Sequence, residues 1–137
     1  MTGSTRGIGR AVAAGLHGAG AKVAILGREA ARAVAVAGEI GERARGFACD
    51  VGNAGSIQAA VEAVTTELGP VDILVNNAGI TRDNLLLRMG EDEWDQVLDA
   101  NLKGAFRTVK AVLKGMMKRG GGRIINMSSQ AGFAALP

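Results

Sequence analysis

Residues 3–9 read Gly3-Ser4-Thr5-Arg6-Gly7-Ile8-Gly9, a stretch that spaces three glycines as GxxxGxG and leads into a helix-like segment. Glycine at these positions lets backbone amides approach a pyrophosphate, and the N-terminus of the following helix supplies partial positive charge. The stretch therefore predicts a phosphate-binding turn. The alternative is a tight strand-to-helix turn without a ligand, which this motif alone leaves open. The Gly-Lys-Ser or Gly-Lys-Thr ending of a nucleoside triphosphatase loop is missing, which disfavours phosphoryl transfer.

Strand-like and helix-like segments alternate along the rest of the chain, separated by short glycine or polar breaks. This alternation is typical of an α/β protein, in which helices cover both faces of a parallel sheet. We expect Asn53 to cap the third helix and one apolar stripe to run from Trp94 to Met116 along the fourth. Strands are predicted near residues 22–26, 45–49, 71–75 and 123–127, and helices near 8–19, 29–42, 53–68 and 91–119.

Composition excludes several classes of function. The 137 residues, 47% of them hydrophobic, fit one globular domain, and no apolar run approaches the roughly 18–20 residues of a membrane span. Without a secretory signal, we expect a cytoplasmic protein. Cys49 and His17 stand alone, so a disulfide, a metal site and a Ser-His-Asp hydrolase are disfavoured. Scattered charges and few aromatic residues argue against nucleic acid, which leaves a nucleotide-dependent enzyme or a non-catalytic module.

The residues at the end of the strand predicted near 22–26 indicate which nucleotide the protein binds. Leu26-Gly27-Arg28 follows the glycine-rich turn by about twenty residues, where a carboxylate binds a free ribose 2′-hydroxyl in dinucleotide-binding folds. No carboxylate stands there. We expect Gly27 to leave room and Arg28 to offer a guanidinium fork that matches a phosphate, with Arg6 pointing to the same place. NADP(H) is therefore the predicted cofactor, and a solvated surface charge is the alternative for each arginine.

Four motifs follow the glycine-rich turn in order: Asp50-Val51, Asn76-Asn77-Ala78-Gly79, Asn101-Leu102-Lys103-Gly104 and Asn126-Met127-Ser128-Ser129. With Thr2 and the turn itself, they resemble the short-chain dehydrogenases and reductases. Residues 80–89 and 93–95 look like the NADPH-dependent β-ketoacyl-(acyl carrier protein) reductases of that family. The resemblance implies a doubly wound parallel sheet of the Rossmann type with strand order 3-2-1-4-5, here incomplete. Residues 1–137 would form one partial dinucleotide-binding domain.

The resemblance also implies a role for each matching residue. Gly3, Ser4, Thr5, Arg6, Gly7, Ile8 and Gly9 would bind the phosphates, Asp50 and Val51 the adenine, and Asn77, Ala78 and Gly79 the ribose. Ser129 would be the catalytic serine that hydrogen-bonds the substrate carbonyl, and Asn101 would position a water in the proton relay. Taken singly, Asp50 and the Asn-Gly pair are also ordinary turn residues.

Catalysis in this family needs a tyrosine in a Tyr-x-x-x-Lys pair, and the sequence contains no tyrosine. We therefore predict no useful activity from these 137 residues. The intact reductase would use NADPH to reduce an acyl carrier protein thioester and would form a homo-oligomer. Lys118, Arg119 and Arg123 are candidates for meeting the acidic carrier, although a solvated helix end is the favoured interpretation. The alternatives are a non-catalytic NADP(H)-binding module and a reductase of another small carbonyl compound.

Both ends of the sequence are abrupt. No strand precedes the glycine-rich turn, and Leu136-Pro137 follows soon after a strand-like segment. We expect a piece of a longer protein that lacks the first strand and the Tyr-x-x-x-Lys half. That first strand would be central, between the strands at 22–26 and 71–75, so we expect a fold of marginal stability.

Overall fold

The computed structural model describes residues 1–129, in which helices and strands alternate as predicted. The abrupt end at Leu136-Pro137 lies outside the described residues. The strands are β1 (Val23–Gly27), β2 (Ala44–Ala48), β3 (Ile73–Asn76) and β4 (Arg123–Asn126). The helices are α1 (Gly7–Gly18), α2 (Ala30–Ile40), α3 (Ala54–Leu68), α4 (Glu91–Leu98) and α5 (Gly104–Lys118), with a 3-10 turn at Leu86–Arg88 and a π-helical turn at Asp99–Lys103.

The sheet consists of two parallel pairs of strands, β1 with β2 and β3 with β4. Residues 1–4 lie between the pairs. The Thr2 N–H donates to the Val75 carbonyl at 3.0 Å, and the Leu26 N–H donates to the Met1 carbonyl at 3.2 Å. The resulting order is β2, β1, residues 1–2, β3 and β4, so the predicted incomplete doubly wound parallel sheet is confirmed.

Helices cover both faces of this sheet. Ile25 and Leu26 are adjacent on β1 but belong to different apolar clusters, because successive side chains of a strand point to opposite faces. On the first face, α1 and α2 pack with Ala13, Ala33, Val36 and Ala37. On the second face, α3 packs with Ile57, Ala60 and Val64, and α5 packs with Val112 and Met116. This layering explains why β1 reads as a continuous apolar run.

Cys49 follows β2 and belongs to the cluster beneath α3. Its side chain is only 5% exposed, and burial raises the pKa of the thiol to about 11. A thiol with a raised pKa carries little thiolate at neutral pH, so Cys49 is a packing residue and not a nucleophile.

The long helix predicted for residues 91–119 is wrong in detail. The helix is interrupted by the π-helical turn at Asp99–Lys103, which changes the phase of the apolar pattern. The predicted single stripe therefore divides: Val112 and Met116 are buried, whereas Trp94 and Leu102 are 56% and 67% exposed. Sequence periodicity could not show this break because a π-helical turn uses the same residue types as an α-helix.

Residues 1–129 contain no helix that is long and apolar enough to span a bilayer. The same range contains no group of three His, Cys, Asp or Glu side chains arranged to hold a metal ion.

The Ser4 side chain lies beneath the glycine-rich turn, against β1. The resemblance placed it among the cofactor-binding residues, but its side chain is fully buried. Its Oγ donates to the Met1 carbonyl at 2.8 Å and accepts from the Leu26 N–H at 3.0 Å. Its own N–H donates to the Leu26 carbonyl at 3.2 Å. Ser4 therefore fastens residues 1–4 to β1 instead of facing a ligand.

Replacing Ser4 with alanine should destabilise the fold by about 1–3 kcal/mol, because it removes two buried hydrogen bonds of the hydroxyl, to the Met1 carbonyl and from the Leu26 N–H, each typically worth about 0.5–1.5 kcal/mol. Urea unfolding followed by circular dichroism measures this change. Thr66→Ala is the matched control, since the Thr66 hydroxyl is exposed and bonds only within its own helix, to the Glu62 carbonyl. The control should change the free energy of unfolding by less than about 0.5 kcal/mol. Equal effects of the two substitutions would contradict the assigned role of Ser4.

Candidate active site

An open groove of about 1590 Å³ lies at the carboxyl ends of the strands, where parallel α/β sheets bind their ligands. A smaller hollow of about 680 Å³ adjoins it and shares several lining residues. The predicted site residues on the groove are Arg6, Ile8, Arg28, Asn77, Gly79, Asn101 and Ser129. Those on the smaller hollow are Val51, Asn77, Ala78, Gly79, Asn101 and Ser129. The fold thus brings residues from five separate motifs to one edge of the sheet.

The glycine-rich turn is shaped by close backbone packing. Gly3 and Gly7 have φ angles of 61° and 52°, in the left-handed region that favours glycine. A methyl group on Gly3 would lie 2.8 Å from the Ala78 Cα, and one on Gly9 would lie 2.6 Å from the Asn77 Nδ2 and even closer to the Gly3 carbonyl oxygen. Gly3 and Gly9 are therefore required by contact with the residues that follow β3, which the sequence had not indicated, whereas Gly7 is favoured by its positive φ alone.

The N-terminus of α1 gives the glycine-rich turn a partial positive charge. Arg6 occupies the N-cap without a side-chain capping bond to any described residue, and the first turn of α1 contains no acidic residue. Ile8, predicted on the apolar face of α1, is 66% exposed and lines the groove, while Gly9 and Ala13 form the buried face. The helix thus presents its positive end to the groove, a feature that suits an anionic group, with the Ile8 side chain beside it.

Thr2 and Asn77 hold the turn against the end of β3. The Thr2 Oγ1 accepts from the N–H groups of Asn77 and Ala78, each at 3.0 Å. In return, the Asn77 Nδ2 donates to the carbonyls of Thr2 and Gly3 at 3.2 and 3.0 Å. Thr2 is 2% exposed. The sequence indicated Thr2 as part of a motif but did not predict this structural role. Its position directly before the glycine-rich turn was the one feature of the sequence that could have indicated it.

Arg28 and Arg6 line the same groove, so the fold brings the two predicted phosphate ligands to one cavity. The structure does not show the open space that was expected beside Gly27 for a phosphate. A methyl group on Gly27 would lie 2.6 Å from the Thr5 Cγ2. The space is therefore filled by Thr5, and Gly27 is glycine because the turn packs against the end of β1.

Asp50 and Val51 lie where β2 ends. The Asp50 Oδ1 accepts from the Gly52 N–H at 2.9 Å, and the Asp50 N–H donates to the Ser56 Oγ at 2.9 Å. The predicted cap of α3 is confirmed in the same loop, since the Asn53 Oδ1 accepts from the Ser56 N–H at 2.9 Å. Asp50 thus acts as a turn residue here, and its contact with adenine remains a prediction.

Asn101 lies in the π-helical turn, a form often found at functional sites. Its Oδ1 accepts from the Ile80 N–H at 2.8 Å, and its Nδ2 donates to the Ile80 carbonyl at 3.0 Å. The side chain therefore holds the segment after Gly79 on the edge of the groove. A role of Asn101 in a proton relay remains a prediction.

Ser129 follows β4 and lines both the groove and the smaller hollow. A hydrogen-bond network that runs from the buried Thr108 and Asn76 to the exposed Asn126 fixes the end of this strand. The Thr108 hydroxyl donates to the Asn76 Oδ1 at 2.7 Å, and the Asn76 Nδ2 donates to the Asn126 Oδ1 at 2.9 Å. These amide and hydroxyl groups connect β3, α5 and β4 directly beneath residues 127–129.

Gly9→Ala should destabilise the fold by about 1–3 kcal/mol, because the new methyl group overlaps the Gly3 carbonyl and the Asn77 amide. Gly15→Ala is the control on the same helix. A methyl group there meets nothing within 4 Å, so the variant should gain up to about 1 kcal/mol from helix propensity. The two midpoints of urea unfolding should therefore move in opposite directions. A shift of both midpoints in the same direction would refute the packing argument.

We compared the sequence with protein-family profiles and with curated proteins. The sequence profile described as short chain dehydrogenase matches residues 1–137. Over 132 residues the chain is 51% identical to the 3-oxoacyl-(acyl-carrier-protein) reductase FabG of Vibrio cholerae and 46% identical to that of Escherichia coli. In each case the match covers 96% of this chain and 54% of the relative.

A relative with another name matches as well. The D-threitol dehydrogenase of Mycolicibacterium smegmatis is 45% identical over 139 residues, which covers 99% of this chain and 54% of that protein. The chain thus spans about half the length of the relatives that it matches. The resemblance inferred from the motifs is confirmed: the chain belongs to the short-chain dehydrogenase family.

Proposed function

We propose that this chain binds NADP(H) in the groove at the carboxyl ends of its strands. The observation that carries the proposal is the convergence of Arg6 and Arg28 on the groove that also receives the N-terminus of α1. The helix end suits a pyrophosphate, and the two guanidinium groups suit a 2′-phosphate. A carboxylate that would bind a free 2′-hydroxyl is missing from residues 26–28.

The residues of the groove fit this dinucleotide along its length. A methyl group on Gly7 would meet nothing within 4 Å, so open space lies beside the backbone at the start of α1. Asn77 to Gly79 lie beside the path expected for the ribose, and Ser129 also lines the groove. A bound nicotinamide supplies a hydride. The part of this chain in the reaction would be to orient the dinucleotide and to donate a hydrogen bond from the Ser129 hydroxyl to the substrate carbonyl, whose oxygen gains negative charge.

For the whole protein, we propose reduction of a 3-oxoacyl thioester of acyl carrier protein. Support comes from the reductases of that name at 46–51% identity. Lys118 is exposed at the end of α5 and is a candidate contact for an acidic carrier. Arg119 is less suitable than predicted, because its guanidinium donates to the Val71 carbonyl at 2.6 Å and is tied to the fold. The D-threitol dehydrogenase at 45% identity supports a second candidate, a small polyol or its carbonyl form.

We also propose that the whole protein is a homo-oligomer through α4, the π-helical turn and α5. Large apolar side chains on these elements are exposed, which favours an interface. The most exposed are Trp94, Leu102, Phe106 and Met117, at 56%, 67%, 62% and 71%.

NADPH should bind the wild-type chain at least about tenfold more tightly than NADH, a difference of about 1.4 kcal/mol. Arg28→Gln should remove most of this preference, because the guanidinium would no longer pair with the 2′-phosphate. Arg32→Gln is the control, since Arg32 is exposed on α2 but does not line the groove. Calorimetric titration of the three proteins with NADPH and with NADH measures all six affinities. Equal binding of NADPH and NADH by the wild type would reject the assignment of the cofactor.

These 137 residues should not oxidise NADPH when an acetoacetyl thioester is added, because the sequence holds no tyrosine to donate the proton. General acid catalysis is typically worth about 10²–10⁴-fold, so the rate should be lower than that of an intact relative by at least this factor. Absorbance of NADPH measures the rate, with the Escherichia coli reductase as the positive control. Turnover at a comparable rate would show that another group donates the proton.

A further inference from the structure

The loop that follows β2 packs directly on the π-helical turn and the start of α5. A methyl group on Gly104 would lie 3.1 Å from the Val51 Cβ, so Val51 and α5 are in close contact. Gly104 is buried at this contact. Val51 also lines the smaller hollow, together with Asn101. The segment predicted to hold adenine therefore touches the segment that carries a predicted catalytic residue.

Arg107 on α5 bridges these two segments. Its Nη1 lies 3.1 Å from the Asp99 Oδ2 and 3.5 Å from the Val51 carbonyl oxygen. Only 19% of its side chain is exposed, so solvent screens these contacts less than it screens an ordinary surface pair. Asp99 begins the π-helical turn, and the planar guanidinium can serve both acceptors at once.

The charges around Gly52 explain why a cation is needed there. A methyl group on Gly52 would lie 3.3 Å from the Asp50 Oδ1 and 3.6 Å from the Asp99 Oδ2, so two carboxylates flank this glycine. Two carboxylates that flank the same residue repel each other. Hydrogen bonding from Arg107 is the largest of the effects that hold the pKa of Asp99 below its usual range, and Lys103, 3.5 Å from the other carboxylate oxygen, adds to it.

We propose that Arg107 is a positioning residue that couples the adenine-binding loop at 50–52 to the π-helical turn at 99–103. When adenine contacts Asp50 and Val51, the Val51 carbonyl is fixed, and Arg107 then fixes Asp99 and the turn. Asn101 extends the effect to Ile80 through its two side-chain hydrogen bonds. The inference rests on the proposed binding of NADP(H) and goes beyond it, because it assigns a route by which one end of the cofactor orders the other end of the site.

The experiment uses 2′,5′-ADP, which is the adenosine half of NADP(H) and cannot itself touch the nicotinamide end. Hydrogen exchange of the amides of residues 99–103 is measured with and without saturating ligand. Exchange in the wild type should slow by at least about fivefold, the lower range of a site-to-site coupling. Arg107→Met should lose this slowing and, because coupling is reciprocal, should bind 2′,5′-ADP more weakly by the same factor.

Lys110→Met is the matched control, because Lys110 is an exposed cation on the same helix that lines neither the groove nor the smaller hollow. It should keep the slowing seen in the wild type. Arg107→Lys covers the case in which the methionine variant does not fold. Lysine keeps a charge near Asp99, but its side chain is shorter than that of arginine, and the Val51 carbonyl already lies 3.5 Å from Nη1, so this variant should also lose most of the slowing. Urea unfolding of each variant separates this effect from a loss of global stability.

The outcomes distinguish the two proposals. If the wild type does not bind 2′,5′-ADP, the proposed function fails and this inference fails with it. If the ligand binds but exchange at residues 99–103 does not change, the inference alone is overturned. Full slowing in a folded Arg107→Met or Arg107→Lys variant would likewise overturn it.

Discussion

The rest of the structure depends on the hydrogen bonds between Thr2 and the Asn77-Ala78 backbone. The two strand pairs of the sheet meet at residues 1–4, and these bonds join the glycine-rich turn to the end of β3. Ser4 completes the junction on the other side, where it binds β1. Because the groove runs over this junction, one small group of buried polar contacts both connects the halves of the sheet and sets the floor of the site.

The fold could be predicted largely from local signals. Apolar runs marked the strands, Asn53 marked the start of α3, and the order of the motifs indicated a doubly wound sheet. The π-helical turn could not be predicted, because its residues suit an α-helix equally well. Trp94 and Leu102 are exposed, and the apolar pattern alone did not decide whether such side chains face the core or a partner subunit.

The sequence indicated that the motifs would lie together better than it indicated the surroundings of each residue. The motifs do converge on one groove, since parallel strands end at the same edge. Single roles depended on packing that a sequence does not display. Ser4 is buried beneath the turn, Thr5 fills the space beside Gly27, and Ile8 faces the groove instead of the core. Arg107 gave no motif signal at all, because its importance lies in contacts with two distant segments.

We propose that the groove binds NADP(H) with the pyrophosphate at the N-terminus of α1. Amide chemical shifts of isotope-labelled protein, followed through a titration with NADPH, report where the nucleotide binds. Saturable shifts should concentrate at residues 3–9, at Arg28 and at residues 77–79, with the helix end among the largest. Shifts that do not saturate, or that cluster on the outer faces of α2 and α3, would contradict it.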